Sequence, residues 1–129
     1  MYNLFLEYVV GSCIFGALPE PIICRYVHFI LFGLRHIDNM GYVHCDIKPD
    51  NILIVDGEAK ITDFGLLTRV GEESTKRNIR GTPLYVAPKS ASCNDYNVAA
   101  DIWALGCSMS EMTSSRLPWR DIEDSNYGI

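Results

Sequence analysis

The chain has 129 residues, enough for one compact domain at roughly 150 residues per domain. Hydrophobic residues make up 48% and charged residues 21%, ordinary globular usage that excludes disordered, collagen-like and low-complexity classes. Sixteen acids against eleven Lys and Arg give a net charge of −5 with no basic run, so neither nucleic acid nor a membrane surface is an expected partner.

Asn3 to Val10 is an apolar, β-branched and aromatic stretch of strand length, closed by Gly11-Ser12. A lone strand has no stable existence, and its expected sheet partners lie outside this sequence. Pro19-Glu20-Pro21 then opens a helix. Ile22, Ile23, Tyr26, Val27, Ile30, Leu31, Leu34 and Ile37 recur at the spacing of a broad buried stripe, and Gly41 ends it. The apolar run Val27–Leu34 inside this helix is far short of the ~20 residues a bilayer span needs.

Val43 to Asp46 and Ile52 to Val55 read as short buried strands. Asp56-Gly57 turns the chain into a third strand, Ala59 to Thr62. Residues 65–90, with Gly65, Gly71, Gly81, Pro83 and Pro88, read as loops. Asp101 to Met112 is a second apolar helix, with Ile102, Leu105, Met109 and Met112 expected on its core face. The five cysteines are odd in number and contain no C-x-x-C pair, which argues against a disulfide framework or a zinc site. With no charged leader before an apolar core at the start, a reducing compartment, cytoplasm or nucleus, is the expected location.

Catalytic groups concentrate on loops held by rigid elements, which directs attention to the strand ends. His44-Cys45-Asp46-Ile47-Lys48-Pro49-Asp50-Asn51 follows one strand directly. A carboxylate, an ammonium and a carboxamide on one loop can accept a proton, offset phosphate charge and ligate a hard cation. Twelve residues beyond Asn51 comes Asp63-Phe64-Gly65, a second oxygen ligand of the kind a magnesium ion bridging phosphates requires. Gly81-Thr82-Pro83-Leu84-Tyr85-Val86-Ala87-Pro88 follows, and Asp101-Ile102-Trp103-Ala104-Leu105-Gly106 opens the second helix.

This ordered set resembles a eukaryotic protein kinase domain, and the combination is far more specific than any one motif. Leu6-Glu7-Tyr8-Val9 and Val43 to Lys48 are most similar in flavour to plant mitogen-activated protein kinase kinase kinases. The resemblance covers nearly the whole chain, residues 1–129. It implies an α+β fold corresponding to the mainly helical C-lobe, with a hinge strand and short hairpin strands, and with the N-lobe absent. It implies serine/threonine phosphoryl transfer from ATP with Mg2+, and a protein substrate such as a downstream kinase of a phosphorylation cascade. In that family pattern Asp46 accepts the substrate hydroxyl proton and Lys48 meets the γ-phosphate, with Thr82 facing Asp46. Asn51 and Asp63 hold magnesium. Leu6 takes the gatekeeper position, the Glu7 and Val9 backbones bind adenine, and Leu53 lies under its ring.

Several departures from the family pattern have physical consequences. Neither a Gly-rich loop nor a strand lysine for the α/β-phosphates precedes Asn3, so the resemblance implies a chain that transfers phosphate poorly by itself. The alternative is a non-catalytic kinase-like binding or regulatory module. Exposed apolar surface is expected wherever the missing lobe would have packed. Lys89 stands where the family has a glutamate. The stretch from Gly11 to Leu18 is several residues short, which affects ribose contacts. Asp38 and Asp101 are expected close together, where two acids would raise one pKa or push the segment apart. Cys45 replaces an arginine that binds a phosphorylated residue, so phosphorylation of Ser74 or Thr75 is not expected to act as a switch. His44 is expected to be a buried structural imidazole.

Overall fold

A computed structural model describes residues 3–72 and 78–120; Ser74 and Thr75 lie outside the described residues. Two helices and a small hairpin make the frame. Helix α1 (Glu20–Asn39) begins at Pro19 and Pro21, whose fixed φ suits a first turn. It buries Ile23, Ile30, Leu34 and Ile37, four members of the expected stripe, while Leu31 lies on the exposed side. The N–H of Leu18 donates to the carbonyl of Met112 at 2.8 Å, which ties the start of α1 to the end of helix α3 (Val98–Ser114).

The hairpin forms as its turn chemistry dictates. Asp56 (φ 51°) and Gly57 (φ 78°) both take the left-handed conformation that a tight two-residue turn needs. They join β3 (Ile52–Val55) to β4 (Glu58–Ile61), with Ile52 opposite Ile61 and Ile54 opposite Ala59. These four side chains share one face, and α1 packs on β4 beneath it. Leu53 and Lys60, paired in register, occupy the other face.

The first strand differs from expectation. Asn3–Val10 contains no strand among the described residues, and Leu4, Phe5, Leu6, Tyr8 and Val10 are exposed. Pairing begins just after it, where β1 (Ser12–Cys13) lies antiparallel to β3. The expected strand Val43–Asp46 is also cut down to β2 (Tyr42–Val43), which pairs with β5 (Thr68–Arg69) inside the stretch read as loop. Cys45 has φ 71°, a conformation incompatible with continuing a strand. That stretch also holds a 3-10 turn, Pro83–Tyr85, and the start of a short helix, α2 (Pro88–Cys93).

Helix α3 buries Leu105 and Met112 of its expected core face but not the other two residues. Asn97 caps it, its side chain accepting from the Ala99 N–H at 2.9 Å. Its buried residues are Asp101, Ala104, Leu105, Cys107, Ser108 and Met112; Ile102 and Met109, expected in the core, are exposed. No helix among the described residues is long and apolar enough to cross a membrane.

Candidate active site

The loop from His44 to Asn51 is held from below by α3. The backbone N–H groups of His44 and Cys45 donate to the two carboxylate oxygens of Asp101, at 2.8 and 3.0 Å. Asp101 is 3% exposed, and burial, the largest cause, pushes its pKa up against these two donors. Asp38 adds only the last of the upward contributions and is itself exposed. The raised pKa expected of the two acids is thus present, but burial rather than Asp38 is its main cause, and the carboxylate satisfies the loop backbone. Asp101 is the residue whose role the sequence reading missed. Its signal was an acid in the first turn of an otherwise apolar helix.

His44 is fully buried, as expected. Its Nδ1 accepts from the Asp46 N–H at 3.2 Å, and Nε2 lies 2.9 Å from the Thr62 carbonyl. A nitrogen that accepts from an N–H fixes the proton on the other, so Nε2 donates. The ring packs edge-on against Phe64 at 5.3 Å, linking the loop to the Asp63-Phe64-Gly65 turn. Cys45 is a packed thiol: burial, the main cause, raises its pKa to about 11, which suppresses the reactive thiolate.

Asp46 is where the side chains meet. Its Oδ1 accepts from the Thr82 hydroxyl at 2.9 Å and the Thr82 N–H at 3.2 Å. Its Oδ2 accepts from Asn51 Nδ2 at 3.0 Å and lies 3.9 Å from Lys48 Nζ. Lys48 donates to the Thr82 hydroxyl at 2.8 Å, so Thr82 joins the cation to the carboxylate. Gly81 makes this approach possible. A Cβ there would sit 2.3 Å from the Cys45 carbonyl oxygen, and its φ of +94° favours glycine.

Asn51 is nearly buried, and Nδ2 also donates to the Asp46 carbonyl at 2.9 Å. That orientation leaves the carboxamide oxygen as its ligand-type atom. The Asn51 carbonyl accepts from the Thr62 N–H and hydroxyl at 2.9 and 3.1 Å, which fixes the position of Asp63, the next residue. Asp63 is exposed, takes φ 59° and accepts from the Gly65 N–H at 3.2 Å. No group of three or more His, Cys, Asp or Glu among the described residues could hold a metal. A site of Asn51 and Asp63 has hard oxygen donors but too few for a cage, which fits an ion completed by phosphate oxygens and water.

The remaining expected residues sit apart from Asp46. Leu6 is exposed and Val9 half-buried. Glu7 pairs with Lys60 at 2.8 Å, and Lys60 is the cross-strand neighbour of Leu53. Glu7 and Leu53 are thus brought to the same hairpin, on its face away from α1. Below the loop, the Tyr85 hydroxyl donates to Glu111, and burial above all keeps that phenol protonated. Lys89 lies 3.8 Å from Asp95.

The family pattern of the protein kinase domain matches residues 1–128. The chain belongs to the protein kinase family. It is 44% identical over 98% of its length to mitogen-activated protein kinase kinase kinase 20 of Arabidopsis thaliana, of which it covers 41%. It is 40% identical over 94% of its length to mitogen-activated protein kinase kinase kinase 3 of the same plant, covering 21% of that protein. A Dictyostelium discoideum protein named a probable serine/threonine-protein kinase is 39% identical over 92% of this chain, which spans 20% of it. Its mixed helix and strand architecture is that of a protein kinase domain.

Proposed function

We propose that the protein transfers the γ-phosphoryl group of ATP to serine or threonine hydroxyls of a protein, with Asp46 as the proton acceptor. The observation that carries this reading is the convergence of Thr82, Asn51 and Lys48 on one carboxylate. Phosphoryl transfer asks for positioning and charge neutralisation rather than a protein nucleophile, and these groups supply both.

Asp46 keeps one oxygen on Thr82 and the other on Asn51, so its lone pairs are aimed and its rotamer is fixed. A substrate hydroxyl arriving there hands its proton to that carboxylate. Lys48, anchored on Thr82, offers a positive charge to the transferring group. Asn51 and Asp63 would hold magnesium, and Leu53 the adenine; bound ATP with magnesium would supply the phosphoryl group, with ADP as the leaving group. Thr82, bonded to both Lys48 and Asp46, supports the serine/threonine type. Relatives named as mitogen-activated protein kinase kinase kinases support a substrate that is itself a kinase of a cascade.

On this reading the loops are those of the helical lobe of such a domain. A Gly-rich phosphate lid and a strand lysine are not found in these 129 residues, so the chain alone is expected to turn over poorly. The second reading is a kinase-like module that docks without catalysis. The deciding experiment measures phosphate transfer from ATP by the longest cellular form of the protein. Asp46→Asn is expected to lower turnover about 10²- to 10⁴-fold with the circular dichroism unchanged. Equal turnover in both forms overturns the catalytic reading, and no turnover in either selects the docking module.

A further inference from the structure

Gly81 and Thr82 carry the contact between Asp46 and the chain beyond Asp63, and the residue just before them is Arg80. Arg80 is fastened twice. Its backbone N–H donates to the Tyr96 hydroxyl at 2.7 Å, and its Nη1 donates to the Thr68 hydroxyl oxygen at 2.6 Å. The Thr68 hydroxyl in turn donates to the Leu66 carbonyl at 2.9 Å, so its proton is committed and its lone pairs are left for the guanidinium.

The two anchors belong to different parts of the fold. Thr68, 7% exposed, lies on β5 opposite Val43, the residue that leads into the catalytic loop. Tyr96 immediately precedes the cap of α3, the helix that holds the loop through Asp101. An arginine pinned between these elements cannot shift without moving Gly81, which already lies against the Cys45 carbonyl.

We propose that Arg80 is a positioning residue: with Thr68 and Tyr96 it forms a clamp that holds Gly81 and Thr82 against the catalytic loop without an added phosphate. Its catalytic consequence rests on the reading of Asp46 given above; the clamp itself does not. A guanidinium bonded to a buried hydroxyl is a charge-assisted contact, and its loss frees the following residues to open locally.

The test is amide hydrogen exchange by NMR on the chain with no nucleotide present. Thr68→Val removes the acceptor at nearly constant shape, and Arg80→Ala removes the donor. Each is expected to speed exchange at Thr82 about tenfold to a hundredfold relative to Leu34 in α1, the range of one charge-assisted bond. Thr68→Ser keeps the hydroxyl and leaves the Thr82 rate as it was, while the double variant is no faster than either single one. Unchanged exchange at Thr82, equal acceleration at Thr82 and Leu34, or Thr68→Ser behaving as Thr68→Val each overturns the clamp. Because no phosphate is transferred in this measurement, failure of the kinase reading leaves its outcome intact.

Discussion

The two long helices both bury apolar residues, but only one buries polar groups among them. Helix α1 turns an apolar stripe inward, Ile23, Ile30, Leu34 and Ile37, and leaves its polar residues outside. Helix α3 turns inward a mixed face, Asp101 and Ser108 beside Ala104, Leu105, Cys107 and Met112, and leaves Ile102, Trp103 and Met109 at the surface. Ser108 satisfies itself on the Ala104 carbonyl at 2.8 Å, while Asp101 reaches across to the loop. Both helices build the core, and the second also holds a backbone in place.

The contrast predicts different consequences for a deletion on each helix. Asp101→Ala strands the buried His44 N–H and the neighbouring Cys45 N–H, each at a cost of roughly 1–3 kcal/mol, or about 4 kcal/mol together. Leu34→Ala loses transfer free energy and leaves a cavity, about 3 kcal/mol. Urea midpoints at an unchanged slope measure both. Only Asp101→Ala should accelerate amide exchange at Cys45 beyond the global effect. A cost below about 1 kcal/mol for Asp101→Ala would remove the distinction between the helices.

Cysteine chemistry sharpens the same comparison at smaller effect. Cys24 lies exposed on α1, whereas burial raises the Cys45 thiol from its ordinary 9.0 to about 11. A raised thiol pKa favours the protonated form, so at pH 8 Cys45 holds about a hundredfold less thiolate than an ordinary cysteine. Iodoacetamide at pH 8 is expected to modify Cys24 and Cys93 well before Cys45, with the Cys45 rate climbing until pH passes about 11. Prompt labelling of Cys45, read by peptide mass spectrometry, would mean that the loop is not packed on α3 as described.

These differences mark what the sequence could carry. The α1 stripe and the Asp56-Gly57 hairpin were legible because local periodicity and turn chemistry act within a few residues. The loop residues Asp46, Lys48 and Asn51 were legible as a motif; the structure bonds Asp46 and Lys48 to Thr82, which the resemblance also placed, and Asn51 to Asp46. Strand β5 was not legible, because two residues paired across the catalytic loop have no local signal. The face of α3 was half misread, at Ile102 and Met109 but not at Leu105 and Met112, for a deeper reason. Hydrophobicity ranks Ile102 and Met109 above Asp101, yet the Asp101 carboxylate is buried because two loop N–H groups require it.

The smallest effect tests that misreading directly. Ile102 is 45% exposed, so replacing it removes little buried area, and glutamine is a better helix former than a β-branched residue. Ile102→Gln is therefore expected to change stability by no more than about 0.5 kcal/mol in urea unfolding. Had Ile102 been a core residue, as periodicity suggested, a carboxamide there would be buried without a partner and cost several times that amount. A loss of about 2 kcal/mol or more, tied to protein concentration, would mean that a second copy covers the outer face of α3 in solution. The same loss independent of concentration would return Ile102 to the core and undo the contrast between the two helices.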